Sequence, residues 1–224
     1  MTELILGNLN YSSWSIPAAL VSRMSGLNIP ERIAPLGFPE TKEALIAETG
    51  LHTVPVLKHE DLYIRDSLSI TEWMAEQAEP GRVWPEDPGQ RALARSVCAE
   101  MHSGFIALRS QMPVNIRATS PSPAIEGDLE SNINRVLTIW KTCLGQSAEQ
   151  GPFLFGNWCA ADAFYAPVVT RFRTYGYSLD GRLADYANAV WSHSDLIKLR
   201  AQAEKEPWKI EMGHLGPVRA WVRD

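Results

Sequence analysis

The sequence predicts an α/β N-terminal region followed by an all-α C-terminal region, and three observations carry that prediction. Strand-like and helix-like segments alternate over residues 1–80 in the order β-α-β-α-β-β-α, as in a small mixed α/β domain. A proline- and glycine-rich stretch follows, from Pro80-Gly81 through Pro85-Glu86-Asp87-Pro88-Gly89, and reads as a linker. Beyond it every periodic segment repeats its apolar residues at helical spacing. The expected organisation is an α/β domain over residues 1–80, a linker over 81–89 and a helical domain over 90–224.

Residues 4–8 read as a buried strand. The next helix runs from about Ser15 to Gly26, with Ile16, Ala19, Leu20, Met24 and Leu27 on one face. Pro17 falls in its first turn, where no intrahelical donor is lost. Residues 31–36 read as a second strand and 40–49 as a polar helix. Two further strands, around residues 54–57 and 62–65, are joined by the turn His59-Glu60-Asp61. The helix after Asp66 buries Ile70, Trp73 and Met74 and ends at Pro80-Gly81. Over residues 90–112 the spacing of Leu93, Val97, Met101, Phe105, Leu108 and Met112 predicts one long core-facing helix, stopped by Pro113. Pro121 and Pro123 mark a loop, and an amphipathic helix covers 127–147. Residues 160–175, apolar nearly all round, predict a buried central helix; 183–206 predicts a polar one.

Composition bounds the chemistry. At 224 residues with 45% hydrophobic content the chain can bury a substantial core. Residues 1–80 carry 5 Lys/Arg against 11 Asp/Glu, and 81–224 carry 16 against 15. An acidic first part and a balanced remainder argue against a nucleic-acid partner. The start Met1-Thr2-Glu3 lacks the basic region and apolar run of a signal peptide, and no apolar run approaches the roughly 18 residues of a membrane span. Three widely spaced cysteines (Cys98, Cys143 and Cys159) suggest neither a disulfide framework nor a metal site, so a reduced, cytoplasmic setting is expected.

The most informative segment is Thr53-Val54-Pro55-Val56-Leu57, followed by Asp66-Ser67. A proline flanked by apolar β-formers donates no ladder hydrogen bond, and such positions often use a cis X-Pro bond. A strand feeding a helix start that carries a carboxylate and a hydroxyl suits a ligand with both an amine and a carboxylate. A buried hairpin with a proline bulge and an ordinary helix cap would use the same residues.

Taken in order, the pieces resemble the glutathione S-transferase superfamily over essentially the whole chain. They are the strand at 4–7, Asn10-Tyr11-Ser12-Ser13-Trp14-Ser15 opening a helix, T-V-P-V-L, D-S-L-S-I, and G-N-W-C-A-A-D-A-F at 156–164. The S-S-x-S turn looks most like the serine-type classes, including the zeta or maleylacetoacetate isomerase-like group. The resemblance implies a thioredoxin-like glutathione-binding domain and a helical substrate-binding domain. It also implies a homodimer, a detoxification-type enzyme and glutathione as co-substrate, with no metal. The resembled families place an arginine near the position held here by Pro17.

Glutathione chemistry needs a thiolate, and a thiol of pKa about 8.5 is only about 3% ionised at neutral pH. Lowering that pKa by about two units takes about 2.7 kcal/mol of preference for the anion. One charge-assisted hydrogen bond supplies roughly 1.5–3 kcal/mol, and a helix N-terminus adds about 0.3–1. A hydroxyl at the first helix start is therefore sufficient. Ser12 matches the first serine of the resembled motif; Ser13 comes second and Tyr11 third, while plain capping, with Ser15 as the cap, accounts for the same cluster.

The resemblance assigns the peptide part of glutathione to the Val54 backbone beside Pro55, the γ-glutamyl carboxylate to Ser67 and the amine to Asp66. Lys42 and His52 could reach the glycyl carboxylate. The electrophile side draws on Trp14, Met101, Phe105, Arg109, Met112, Asn115, Arg117 and Tyr165, of which the apolar members serve equally as core. Two arginines near such a pocket favour an anionic co-substrate. Cys159 and Asp162 form a weak helix-start pair, structural rather than catalytic. A glutathione-dependent cis–trans isomerase and a non-catalytic binding module are the alternatives to a transferase.

Overall fold

The computed structural model describes residues 1–146 and 151–210. One sheet holds β1 (Thr2–Leu6), β2 (Glu31–Ile33), β3 (Val56–His59) and β4 (Leu62–Arg65) in the spatial order β2-β1-β3-β4. β1 is parallel to β2, with Ile5 opposite Arg32, and antiparallel to β3, with Leu4 opposite Leu57. A parallel pair needs a crossover, and α1 (Ser15–Ser25) supplies it. Side chains alternate across the sheet. Leu4, Leu6 and Leu57 enter the main core with Ile16 and Leu20 of α1, whereas Ile5 and Val56 face Leu45 of α2 (Pro39–Thr49). After β4, α3 (Ser67–Gln77) packs on α1.

The remainder is helical: α4 (Pro88–Ser103), α5 (Ile106–Gln111), α6 (Gly127–Gln146), α7 (Ala160–Thr174), α8 (Gly181–Trp191) and α9 (Ser194–Lys205). As its composition predicts, α7 is buried almost throughout, and it touches α1, α4 and α8. The core therefore runs without a break from Leu4 of the sheet to Ala203 of α9. Cys98, Cys143 and Cys159 are all buried thiols.

Three expectations are corrected. The helix predicted over 90–112 is two helices. At Gly104 the chain turns extended, and a Cβ there would approach the Glu100 carbonyl oxygen to 2.8 Å; Phe105 then takes a positive φ of 57°. The apolar spacing is the same on both sides of the break, so periodicity does not register it. The helix predicted over 183–206 also divides, because His193 Nδ1 accepts the Asp195 N–H at 3.3 Å and starts α9. The second strand stops at Ile33 rather than residue 36, although Ala34 still donates its N–H to the Leu6 carbonyl at 2.7 Å. Pro35 has no N–H to continue the ladder.

Within the expected linker, Pro88 already opens α4, with Asp87 Oδ1 accepting the Gln90 N–H at 2.8 Å. Val83 and Trp84 are buried, and the Val83 carbonyl accepts the Ala160 N–H of α7 at 2.8 Å.

Candidate functional site

The chain leaving β1 has to turn into α1 above the sheet edge, and hydroxyls organise that turn. The Gly7 N–H donates to Ser15 Oγ at 2.8 Å, and the Ser12 hydroxyl donates to the same oxygen at 2.9 Å. Ser12 Oγ in turn accepts the Ser15 N–H at 3.2 Å. Ser12, not Ser15, therefore satisfies the first helical amide. Ser15 is already inside the helix, and the N-cap position belongs to Trp14, which makes no side-chain cap bond. Ser12 is 7% exposed; Ser13 and Tyr11 are half-buried, and the Tyr11 phenol accepts from Arg117 Nη2 at 3.2 Å. Gly7 is required by space, since a Cβ would lie 2.9 Å from Val54 Cγ2. That approach sets Val54 beside the turn, and the Val54-Pro55 bond is cis, as the proline's setting suggested.

Asp66 is the N-cap of α3, at a φ of 80°. Its Oδ1 accepts the Leu68 and Ser69 N–H groups at 2.9 and 3.2 Å, and its Oδ2 lies 2.5 Å from His102 Nε2 of α4. With Asp66 doing the capping, the next hydroxyl is left over: Ser67 is 2% exposed, and its Oγ has no hydrogen-bond partner. A buried polar group left in that state costs about 1–3 kcal/mol. Lys42 and His52, both exposed, meet Val54 around a cavity of about 440 Å³ that Leu36 and Phe38 also line.

The helices close the other side. Trp14 lies between His102, at 5.2 Å between ring centroids, and Arg109, whose Cζ is 4.6 Å from its centroid. Asn115 is buried and accepts from Asn10 Nδ2 at 2.9 Å, while Asn10 Oδ1 accepts the Arg117 N–H at 2.9 Å. Of the other electrophile-side candidates, Met101, Met112 and Tyr165 are at most 1% exposed and belong to the core, where the Tyr165 phenol donates to the Val97 carbonyl at 3.2 Å; Phe105 is 6% exposed.

Sequence reasoning missed three participants. Glu206, beyond α9, accepts the Leu9 and Asn10 N–H groups at 2.6 and 3.2 Å, bridging 197 positions to the first; no local pattern announces such a contact. Burial pushes its carboxyl up, and those two hydrogen bonds and Arg117 pull it back. His102 lies beside Met101 on α4 with only its residue type as a clue. Arg171 lies within the apolar run of α7, 1% exposed, donating through Nε to the Met112 carbonyl at 2.7 Å. Among the described residues no group of three or more His, Cys, Asp and Glu is placed to hold a metal, and no helix is long and apolar enough to cross a membrane.

A turn rich in hydroxyls thus faces a helix start with an unfilled hydroxyl, both walled by aromatic and cationic side chains. The chain is similar to known proteins in sequence and in fold. Residues 6–82 match the family described as glutathione S-transferase, N-terminal domain. Over 182 residues, 75% of this chain and 76% of the relative, the sequence is 26% identical to the maleylacetoacetate isomerase of Rattus norvegicus. The fold matches a glutathione transferase homolog from Burkholderia gl BGR1, solved with bound glutathione (TM-score 0.68, 21% identity, 91% of this chain and 97% of that one). It also matches the Tau class glutathione S-transferase of mango, Mangifera indica (TM-score 0.66, 19% identity, 91% of this chain and 96% of that one).

Proposed function

We propose, from the match of residues 6–82 to the glutathione S-transferase N-terminal domain and the likeness to a maleylacetoacetate isomerase, that the chain is a glutathione transferase of that superfamily, activating the thiol of glutathione and adding it to an electrophilic small molecule. The observation that carries this reading is the Ser67 hydroxyl, buried and unpartnered at the first residue of α3. A γ-glutamyl carboxylate there receives its hydrogen bond at the positive end of a helix. Asp66 holds the adjacent amine, and the Val54 backbone beside Pro55 holds the peptide. Lys42 and His52 face the glycyl carboxylate across the cavity they share with Val54.

Ser12 is the activating group of this proposal, with Ser13 second and Tyr11 third. The two hydroxyls at 2.9 Å can reverse their donor and acceptor roles. Ser15 then donates to Ser12, and Ser12 donates to the sulfur. A hydrogen bond polarised in this way suits a thiolate, since donors aimed at a developing anion stabilise it without reorganisation. Residues 1–80 form the glutathione domain, 81–89 the linker and 90–224 the electrophile domain in a cytoplasmic homodimer serving detoxification.

A second reading, a glutathione-dependent cis–trans isomerase, is favoured by the 26% identity to the rat maleylacetoacetate isomerase. There the thiolate adds to a double bond, the resulting single bond rotates, and the thiolate leaves again. Retention on immobilised glutathione followed by conjugation of chlorodinitrobenzene tests the transferase. Retention without turnover of that compound or of a cis-enone reduces the chain to a binding module, and no retention removes the reading. Light scattering on the same sample should report twice 24.9 kDa.

A further inference from the structure

Two arginines of the helical region lack what a buried cation normally has. A charge taken out of water is tolerated when it is paired and hydrogen-bonded. Arg171 is 1% exposed, makes one hydrogen bond through Nε, and leaves its buried Nη1 without any partner. Arg109 is half-buried, reaches only the Gly104 carbonyl at 3.4 Å, and lies over the Trp14 ring. Neither forms a salt bridge among the described residues, although five other arginine–carboxylate bridges are present there. 

They are Arg23–Glu31, Arg32–Glu3, Arg32–Glu48, Arg95–Glu72 and Arg135–Glu100. The two carboxylates of the candidate site are engaged elsewhere, Asp66 by His102 and two amides, Glu206 by the Leu9 and Asn10 amides.

We propose that Arg109, backed by the buried charge of Arg171, forms with Trp14 a subsite for a carboxylate carried by the electrophile. The inference rests on the transferase reading and names its substrate class: an aromatic or unsaturated electrophile with an anionic group, its apolar part against the Trp14 ring. Electrostatics agree with the geometry. Burial pushes the Arg171 guanidinium down to about 9, and the charge of Arg109 pushes it the same way, so the two cations repel. Burial also lowers Arg109. An anion between or beside them relieves both effects, and a carboxylate can engage a guanidinium through two hydrogen bonds. Arg171, buried and bonded to the carbonyl of Met112 at the end of the helix that carries Arg109, acts as a positioning residue through its field.

Chlorodinitrobenzoate and its methyl ester provide the test. In each, the glutathione sulfur bonds to the ring carbon bearing chlorine, the carbon–chlorine bond breaks, and chloride leaves with the electron pair. Rates are divided by those with glutathione alone, which removes the difference in intrinsic reactivity. The expected result is at least a tenfold preference in kcat/KM for the acid, expressed mainly in KM. Arg109→Met should abolish it by slowing the acid and sparing the ester, and Arg171→Met should reduce it severalfold. Circular dichroism confirms that each variant is folded; Arg109→Met, altering a half-exposed side chain, carries the test if Arg171→Met does not fold. Equal corrected rates for acid and ester, or a preference that survives Arg109→Met, overturns the subsite and leaves the transferase standing. If neither compound is conjugated, the transferase reading fails, and binding of unreactive dinitrobenzoate decides the subsite. Binding that needs both the carboxylate and Arg109 supports it; binding indifferent to either overturns it.

Discussion

Asp66 and Asp162 both stand at helix starts, and their surroundings differ in every respect that matters to function. Asp162, three residues past the N-cap Cys159, is fully buried, and its two oxygens accept the Leu154 and Cys159 N–H groups at 3.1 and 2.9 Å. Both amides lie within eight residues of Asp162 in the sequence, which makes the start of α7 a closed joint. Asp66 is partly exposed, shares its carboxylate with His102 from another helix, and precedes a buried hydroxyl that nothing fills. A helix start satisfied from within holds the fold together. One that leaves a buried polar atom unpartnered keeps a hydrogen bond available to a ligand, the role proposed above for Ser67.

The strongest way to break this contrast is Asp162→Ala. Two buried amides lose their acceptor, each at about 1–3 kcal/mol, so unfolding in urea should show a loss of about 2–6 kcal/mol. The kinetic constants of the folded fraction should stay at wild-type values. A selective loss of activity at unchanged stability would refute the structural role. Burial also raises the Asp162 carboxyl from 3.8 to about 6. Because the folded value lies above the unfolded one, the group's contribution to stability is complete below pH 3.8 and is lost as pH rises through about 6. In Asp162→Asn that slope should disappear from the stability–pH curve.

Ser12→Ala comes next. It should lower kcat/KM roughly ten- to a hundredfold, the loss of one charge-assisted hydrogen bond, with a much smaller effect on glutathione binding. A stability loss of about 1 kcal/mol should accompany it, since the Ser15 N–H loses its acceptor. Full activity in Ser12→Ala together with inactivity in Ser13→Ala or Tyr11→Phe would move the assignment to a neighbour.

The smallest effect sharpens the contrast most. Ser67→Ala should raise KM for glutathione about three- to tenfold at unchanged kcat, as expected for uniform binding. Its stability should be equal to or slightly above wild type, because the hydroxyl has no partner to lose. A capping hydroxyl would instead show a loss of about 1 kcal/mol in denaturation.

What the sequence makes legible is what local rules determine. The succession of strands and helices along residues 1–80 follows from their periodicity, and the pairing of Cys159 with Asp162 follows from a spacing of three residues. The Asp66-Ser67 pair is legible too, although only the structure separates its members into a cap and an unfilled hydroxyl. The break at Gly104 is hidden because the core-facing pattern continues across it. Arg171 is hidden because burial of one polar side chain on an apolar helix depends on what packs there. Ser15 resembles a cap in the sequence, and only the path of the chain past Gly7 turns its hydroxyl back toward the strand.

Every residue proposed to touch glutathione precedes Leu68, yet the turn carrying Ser12 is tied to Glu206 through the Leu9 and Asn10 amides. In a chain made from its N-terminus onward, the residues of the site emerge early and their fixed geometry comes late. A fragment ending before Glu206 would carry all of those side chains while the turn that bears Ser12 lacked the acceptor of its Leu9 and Asn10 amides. Order of synthesis and order of completion are thus opposite here, and the finished turn marks a chain in which Leu9 and Glu206 have met.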